Sequence, residues 1–420
     1  MEKIVERKLL KTILRVANRK EFIGIRGPRQ SGKTTLLRLL EKKLKGYENV
    51  FVNMDLPDNR HEFEENPLDF VKRHKAGKKK LLLFMDEVQG CKNAGKSLKI
   101  IYDSFEDVKV IFSGSSSLEI KTGILPSLVG RTFIFDLLPF DFEESLAYKD
   151  NGLAEIFRDK KKSVFEFVEH GRLIKKPSMS AELMKHMKKY AVFGGYPEVV
   201  KAGTADEKII LLNTLRTLYL EKDVISFFGV RDADKFEIIS RVLAFQASNI
   251  LNVSNTSKSC GITLQKAEEF LAILKQVFVI DLLTPFHRNL ITELRKAKKI
   301  YFFDAGLRNS LLRNFIDFDK REDAGKMMEN FVFRELISSF PDWELNYWRT
   351  SGKAEVDFVL SKEGTLLPVE VKINETTIGK SFYSFLESYK PKRAIIITMN
   401  YFEKRKVGDT IVYFLPAHYL

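Results

Sequence analysis

The sequence predicts an α/β protein: a doubly wound parallel sheet, then helical segments, then a second, smaller α/β domain. Three observations predict it. An apolar strand, Phe22-Ile23-Gly24-Ile25-Arg26, runs into a glycine turn and leaves it as a helix through Leu36, Leu37 and Leu40. Two further runs, Leu81–Met85 and Val108–Phe112, are apolar with little or no alternation, the pattern of strands buried on both faces. Strand and helix patterns then alternate up to residue 140, as a parallel sheet with helical crossovers requires.

The elements follow in order. Ile4, Val5, Leu9, Ile13 and Val16 fall near one face of an N-terminal helix. The turn after the first strand reads Gly27-Pro28-Arg29-Gln30-Ser31-Gly32-Lys33-Thr34-Thr35. The spacing Gly27-x4-Gly32-Lys33-Thr34 is that of a phosphate-binding loop. Its N–H groups and the helix N-terminus face phosphate oxygens, Lys33 reaches the β- and γ-phosphates, and the Thr34 hydroxyl ligates Mg2+. A short strand at Val50–Met54 and a polar helical stretch over 57–79 come next. The strand 81–85 ends in Asp86-Glu87, which places two carboxylates at the edge where open α/β sheets bind ligands. Asp86 is suited to hold Mg2+ through its water shell and Glu87 to polarise an attacking water. After a helix near 94–106, the strand 108–112 ends in Ser113-Gly114-Ser115-Ser116-Ser117. These hydroxyls either contact a γ-phosphate or lytic water or cap the next helix, the latter fitting Ser117. Gly130-Arg131 and the strand Thr132–Leu137 close the unit.

Composition narrows the function classes. The 420 residues predict several domains, and a net charge of +14 favours a polyanionic partner such as DNA, though a lysine-rich soluble surface explains it too. Two cysteines, Cys91 and Cys260, supply no disulfide framework, and six scattered histidines supply no zinc spacing. No apolar run approaches the ~18 residues of a membrane helix, and the charged N-terminus lacks a signal-peptide pattern. The expectation is a cytoplasmic protein with no membrane partner.

Five stretches together resemble the AAA+ ATPases of an archaeal and bacterial group that carries a C-terminal domain of unknown function. They are Gly-Pro-Arg-Gln-Ser-Gly-Lys-Thr-Thr at 27–35, Phe-Met-Asp-Glu-Val-Gln at 84–89, Ser-Gly-Ser-Ser-Ser at 113–117, Leu-Val-Gly-Arg at 128–131 and Leu-Leu-Pro-Phe-Asp-Phe-Glu-Glu at 137–144. Gly194-Gly195-Tyr196-Pro197-Glu198 and Tyr301-Phe302-Phe303-Asp304-Ala305-Gly306-Leu307 extend the resemblance over nearly the whole chain. It implies Lys33 and Thr34 for ATP and Mg2+, Asp86 and Glu87 for hydrolysis, and Ser113 or Ser115 as sensor. It also implies Arg131 as an arginine finger that reaches a neighbouring subunit, and hence a homo-oligomer. A planar, permanently charged guanidinium suits charge spreading over phosphoryl oxygens; the alternative for Arg131 is an internal ion pair or a surface position. No sensor-two arginine stands out.

Residues 149–180 are lysine-rich and read as an insertion or loop, a solvated face or a nucleic-acid contact. Residues 181–228 read as helical, broken at Gly194-Gly195-Tyr196-Pro197. A helix over 235–248, a polar segment over 252–258, a helix over 264–276 capped by Thr263, and a strand over 277–282 have the outline of a winged helix. In a DNA-binding version Gln265, Lys266 and Glu268 lie near the exposed start of the second helix; Glu268 and Glu269 fit a packing role better. Asp304, at the end of the strand 298–304, reads as a turn or cap residue, and 308–326 as a polar link.

From 322 onward the pattern is helix, three strands, helix, two strands. Glu329 lies on the first helix, Glu355 and Asp357 share one face of a strand, and Glu370 and Lys372 share one face of the next. If the two strands form a hairpin, Asp357 and Glu370 converge. Two carboxylates and the Val371 carbonyl suit Mg2+, and Lys372 suits a developing phosphorane. Asp357 with Glu370-Val371-Lys372 resembles the signature of PD-(D/E)XK nucleases, and Glu329 resembles the extra acid of the Holliday-junction-resolvase branch. Val356 stands where many members have proline.

The sequence therefore predicts an AAA+ core over 1–148, a basic insertion and helical lid over 149–230, a winged helix over 231–310 and a restriction-endonuclease-like domain over 311–420. The expected function is ATP hydrolysis coupled to action on DNA, with metal-dependent cleavage of branched or broken DNA. The rival is a nucleotide-controlled regulatory or DNA-binding switch whose nuclease-type domain does not cleave. Asp86-Glu87 speaks against a third class, a P-loop kinase.

Overall fold

The apolar runs of the first 140 residues form a five-stranded sheet, all parallel. Its strands are β1 (Phe22–Arg26), β2 (Glu48–Asn53), β3 (Leu81–Asp86), β4 (Val108–Gly114) and β5 (Thr132–Asp136), in the order β2-β3-β4-β1-β5. The computed structural model describes residues 4–77, 79–114, 123–219, 229, 232–286, 297–374 and 376–420. The strands lack alternation because both faces are covered. Phe22, Leu81, Leu83, Met85, Val110 and Phe112 enter one core, while Ile23, Ile25, Leu82, Phe84 and Ile111 enter the other. Each such side chain contributes about 2 kcal/mol of apolar transfer.

The chain divides into two compact units, Met1–Pro139 with Gln276–Phe278, and Phe140–Lys275 with Val279–Leu420. The second contains the three later segments of the sequence reading, and one apolar cluster in it joins residues 142–192 to residues 283–420. Its main sheet has six strands: β8 (Glu344–Arg349), β9 (Glu355–Lys362), β10 (Thr365–Lys372), β11 (Arg393–Thr398), β12 (Glu403–Val407) and β13 (Thr410–Pro416), in the order β12-β13-β11-β10-β9-β8. A separate two-stranded sheet pairs β6 (Ile280–Leu283) with β7 (Lys299–Phe302).

Several local expectations change. The polar stretch 57–79 is two helices, Pro57–Glu65 and Pro67–His74, separated where Asn66 accepts from the N–H groups of Leu68 and Asp69 at 3.1 and 3.2 Å. The lysine-rich stretch is a loop only in its second half, 171–179: Asn151–His170 is a helix that buries Leu153, Phe157, Val164 and Phe167 and ends at Gly171. Lys161 on it pairs with the fully buried Glu335 at 3.1 Å. The polar segment 252–258 is the N-cap Asn252 and most of the helix Val253–Cys260, and Thr263 does cap the helix Leu264–Gln276, its hydroxyl accepting from Lys266 N–H at 3.2 Å. The following strand starts at Ile280, because Phe278 takes a left-handed conformation (φ 57°) that interrupts extended backbone. The polar link 308–326 begins inside the helix Ala305–Leu312, whose Arg308, Asn309 and Ser310 are buried and donate to the carbonyls of Ala244, Val192 and Leu212. The charged run 403–407 is an edge strand, where unpaired backbone and charge coexist.

Asp304 joins two of the sequence stretches noted above. Its Oδ2 accepts from Gly195 N–H at 2.7 Å, and its Oδ1 caps the helix 305–312 through Leu307 N–H at 2.9 Å. The Gly195 carbonyl accepts from Phe140 N–H at 2.8 Å, and backbone approaches so closely that a Cβ on Gly195 would lie 1.9 Å from the Phe140 oxygen. Burial raises the Asp304 carboxyl to about 6, against hydrogen bonds from Gly195, Leu307 and Gly306 and the charge of Arg334.

Two outcomes follow for stability. G195A loses about 3 kcal/mol in chemical denaturation, because only backbone can yield there. G325A, whose Cβ meets nothing within 4 Å, is neutral or gains about 0.5 kcal/mol. For Asp304, the unfolded chain releases its proton near the usual ~3.9, whereas the folded state keeps it until about 6. The folded state binds the extra proton between these values, so this contribution to stability falls as pH rises through that window. D304N loses that slope in denaturation measured across pH. It is also less stable at pH 7 by about 1–3 kcal/mol, since an amide cannot accept at both positions.

Candidate functional site

The first candidate site lies at the C-terminal edge of the parallel sheet. β1 ends at Arg26, whose carbonyl accepts from Leu137 N–H at 2.8 Å. Gly27 passes so close to this strand connection that a Cβ would stand 2.2 Å from the Leu137 oxygen. The loop turns through Pro28, the exposed Arg29 and Gln30, the fully buried Ser31 and the left-handed Gly32, and enters the helix Lys33–Lys43 that carries Thr34 and Thr35. Lys33 is 4% exposed, and its Nζ donates to the carbonyls of Gly27 at 3.2 Å and Pro28 at 3.1 Å. The Thr34 hydroxyl donates to Asp86 Oδ2 at 2.6 Å. The Ser113 hydroxyl, from the end of β4, donates to Asp86 Oδ1 and accepts from Glu87 N–H at 3.2 Å. Glu87 has left-handed backbone (φ 59°); its Oε2 accepts from Gln89 at 2.5 Å and its Oε1 lies 3.9 Å from Lys33 Nζ. Thr34, Asp86, Glu87 and Ser113 thus meet beside Lys33. Ser115 lies outside the described residues.

Arg131 is not at this edge. Its carbonyl accepts from Phe22 N–H, at the opposite end of β1. Five strand residues, roughly 16 Å, separate that point from the loop. Its guanidinium pairs with Asp103 at 2.9 Å and lies over the Tyr102 ring.

The second candidate site lies in the C-terminal sheet. β9 and β10 form the expected hairpin, with Phe358 opposite Val369. Asp357 and Glu370 meet there: Glu370 Oε2 accepts from Asp357 N–H at 3.4 Å, and Asp357 Oδ2 accepts from Val371 N–H at 2.9 Å. Lys372 Nζ lies 3.6 Å from Glu370 Oε1. Glu355 and Asp357 do project together, with Glu329 beside them, but around a cation of the chain itself. Lys299 Nζ, from β7, lies 3.0 Å from Glu329, 2.7 Å from Glu355 and 3.3 Å from Asp357. The Tyr301 hydroxyl donates to Glu329 at 2.5 Å. Among the described residues no three His, Cys, Asp or Glu side chains are disposed to hold a metal ion. Burial depresses the Lys299 ammonium, but Glu329, Asp357 and Glu355 outweigh it and hold its pKa above the usual lysine value. One ammonium does not neutralise three carboxylates. Burial and the Asp357 charge accordingly raise Glu329 to about 7, and the same two causes raise Glu370.

Residues 19–146 match the model of an AAA domain. The chain carries an AAA domain. Residues 184–317 and 324–420 match two domains of unknown function, DUF8612 and DUF4143. An uncharacterized protein of Methanocaldococcus jannaschii is 26% identical over 402 residues, covering 92% of this chain and 84% of that one. An uncharacterized protein of Mycobacterium tuberculosis is 24% identical over 393 residues, covering 91% and 77%. Among solved structures, the Aeropyrum pernix ORC1 protein in complex with DNA aligns over 75% of this chain and 94% of that one, at 11% identity and a TM-score of 0.31. Among the described residues no helix is long and apolar enough to cross a membrane.

Two residues of these sites escape sequence reasoning. Arg7, 6% exposed, supports the loop 27–35 by donating to Ser31 O at 2.7 Å and Leu138 O at 2.6 Å. Nothing local marks it, because its partners lie 24 and 131 positions away. Lys299 follows another lysine at the start of an apolar strand, where a solvated charge is the ordinary reading. R7M leaves two carbonyls without their donor and lowers the stability of the AAA domain by about 1–3 kcal/mol, read by denaturation. R7K recovers only part, since one ammonium cannot span both carbonyls.

Proposed function

We propose that the protein is an ATP-hydrolysing machine that acts on DNA. The observation that carries the ATPase reading is the meeting of Lys33, Thr34, Asp86, Glu87 and Ser113 at one sheet edge. The loop N–H groups and Lys33 hold the phosphates of ATP. A hydroxyl and a carboxylate in contact, Thr34 and Asp86, are hard oxygen donors that fit Mg2+. Mg2+, when bound, neutralises phosphate charge. Glu87 orients and deprotonates the attacking water, and Gln89 holds that carboxylate until nucleotide arrives. Ser113 links Asp86 to the Glu87 backbone and so keeps the two in register. E87Q retains nucleotide binding and loses about a hundredfold in ATP turnover, while K33A loses binding itself. Unchanged turnover in E87Q removes Glu87 from the mechanism.

Arg131 acts on a neighbouring copy. Its place at the far end of β1 excludes the loop of its own chain, and the Asp103 pair is its resting partner. Specific ATPase activity rises with protein concentration and R131A lowers it; a fully active, concentration-independent monomer overturns this.

Contact with DNA is supported by the net charge of +14 and by the order of helices 253–260 and 264–276 and the β6–β7 pair, the outline of a winged helix. Gln265 and Glu268 are exposed at the start of the second helix, and Lys266 pairs with Glu269 at 3.2 Å. The nuclease-like reading of the C-terminal sheet is supported by the contacts among Asp357, Glu370 and Lys372. One observation favours the non-cleaving reading of that domain: Lys299 sits among the carboxylates. Linear, flapped and four-way DNA with Mg2+ or Mn2+ discriminates. Cleavage by the wild type that E370A abolishes establishes a nuclease; binding without cleavage leaves a DNA platform.

A further inference from the structure

We infer that Lys299 is a built-in cation that takes the place of a divalent metal in the C-terminal carboxylate cluster. The cluster draws on two elements of the nuclease-like fold, the helix Ala324–Ser339 for Glu329 and β9 for Glu355 and Asp357. The cation comes from a third, the β6–β7 pair. An ammonium has three N–H donors, and Lys299 has three carboxylates within 2.7–3.3 Å, so its donors are saturated by the cluster. None is left to meet a phosphate, which separates it from the lysine of a nuclease signature, a role Lys372 matches by position.

The oxygens around it are engaged as well. Glu329 Oε1 accepts from Tyr301 in addition, Glu355 Oε2 from Arg349 at 3.0 Å, and Asp357 Oδ2 from Val371 N–H. A magnesium ion binds carboxylate oxygens at about 2.1 Å and keeps an octahedral shell, so it cannot share these oxygens with an ammonium already among them. Lys299 is 2% exposed, and removing either partner from a buried charge set leaves uncompensated charge. The carboxylates therefore demand a cation at all times, and β7 supplies it.

The strand that carries Lys299 is anchored at several points. Its sheet neighbour continues along the edge of the C-terminal sheet, where Tyr347 N–H donates to Thr284 O at 3.1 Å and Asn346 donates to the Thr284 hydroxyl at 2.9 Å. Tyr301, two residues on, stacks on Phe333 with ring centroids 4.5 Å apart. A metal enters this cluster only if the Lys299 side chain withdraws from it.

The inference rests on the nuclease-like reading of the domain only for the choice of metal. It is tested by metal occupancy and by neither cleavage nor ATP turnover. Full-length, nucleotide-free protein is titrated with Mn2+ and followed by electron paramagnetic resonance, in a D86N background that silences the Thr34–Asp86 pair. The chain with Lys299, and K299R, take up no Mn2+ at the cluster. K299M takes up about one equivalent with a thermal midpoint that rises with Mn2+, and K299M/D357N loses it. K299M/E329Q, with one carboxylate fewer to neutralise, gives a second chance of a folded protein and behaves like K299M. The inference is overturned if Mn2+ binds with Lys299 in place and D357N removes it. It is overturned too if the folded K299M variants take up none, or if both stay unfolded at saturating Mn2+, since a surrogate cation must be replaceable.

Discussion

A strand covered on both faces can present polar groups only at its ends. β1, β3 and β4 have apolar cores on either side, so their chemistry gathers where they stop: Lys33 beyond β1, Asp86 and Glu87 at the end of β3, Ser113 near the end of β4. The same constraint shapes the C-terminal sheet. Glu370 and Lys372 close β10, and Glu355 and Asp357 open the antiparallel β9, which brings all four to one edge of the hairpin. Both candidate sites are consequences of burying two faces of a sheet.

Burial also explains how each site is held before any ligand arrives. Lys33 and Asp86 are nearly inaccessible, and each is satisfied internally: Lys33 by loop carbonyls, Asp86 by two hydroxyls. Such bonds are neutral donors or acceptors facing a charge, so phosphate or a cation can replace them with a stronger, charge-assisted partner. The carboxylates around Lys299 are satisfied in the opposite way, by a full charge, and exchange there carries the cost of removing a buried cation. The two sites thus differ in readiness: one is set for exchange, the other already holds a cation of the chain.

Much of this was legible in the chain. The P-loop spacing, the apolar strands ending in Asp86-Glu87 and in Ser113, and the paired charges of 355–357 and 370–372 are local patterns, and local patterns survive without the fold. The capping role of Asp304 and the helix at 264–276 were legible for the same reason. Misreadings cluster where a polar sequence is buried. Residues 149–180 and 308–326 look like solvated connections, yet apolar faces or backbone-directed side chains pack the helices Asn151–His170 and Ala305–Leu312 there against the core.

By itself the sequence determined the identity and spacing of the groups proposed to hold phosphate, because a loop of nine residues contains its own geometry. It also determined that Asp357 and Glu370 would meet, because a hairpin sets its own register. Only the tertiary structure decided what those groups face. It placed Arg7 under the P-loop, put Arg131 at the far end of the sheet beside Asp103, and brought Lys299 to carboxylates 30 to 58 positions away. The reason is physical: a charged side chain takes the acceptors it can reach, carbonyl or carboxylate, and which ones it reaches depends on packing between elements distant in the chain.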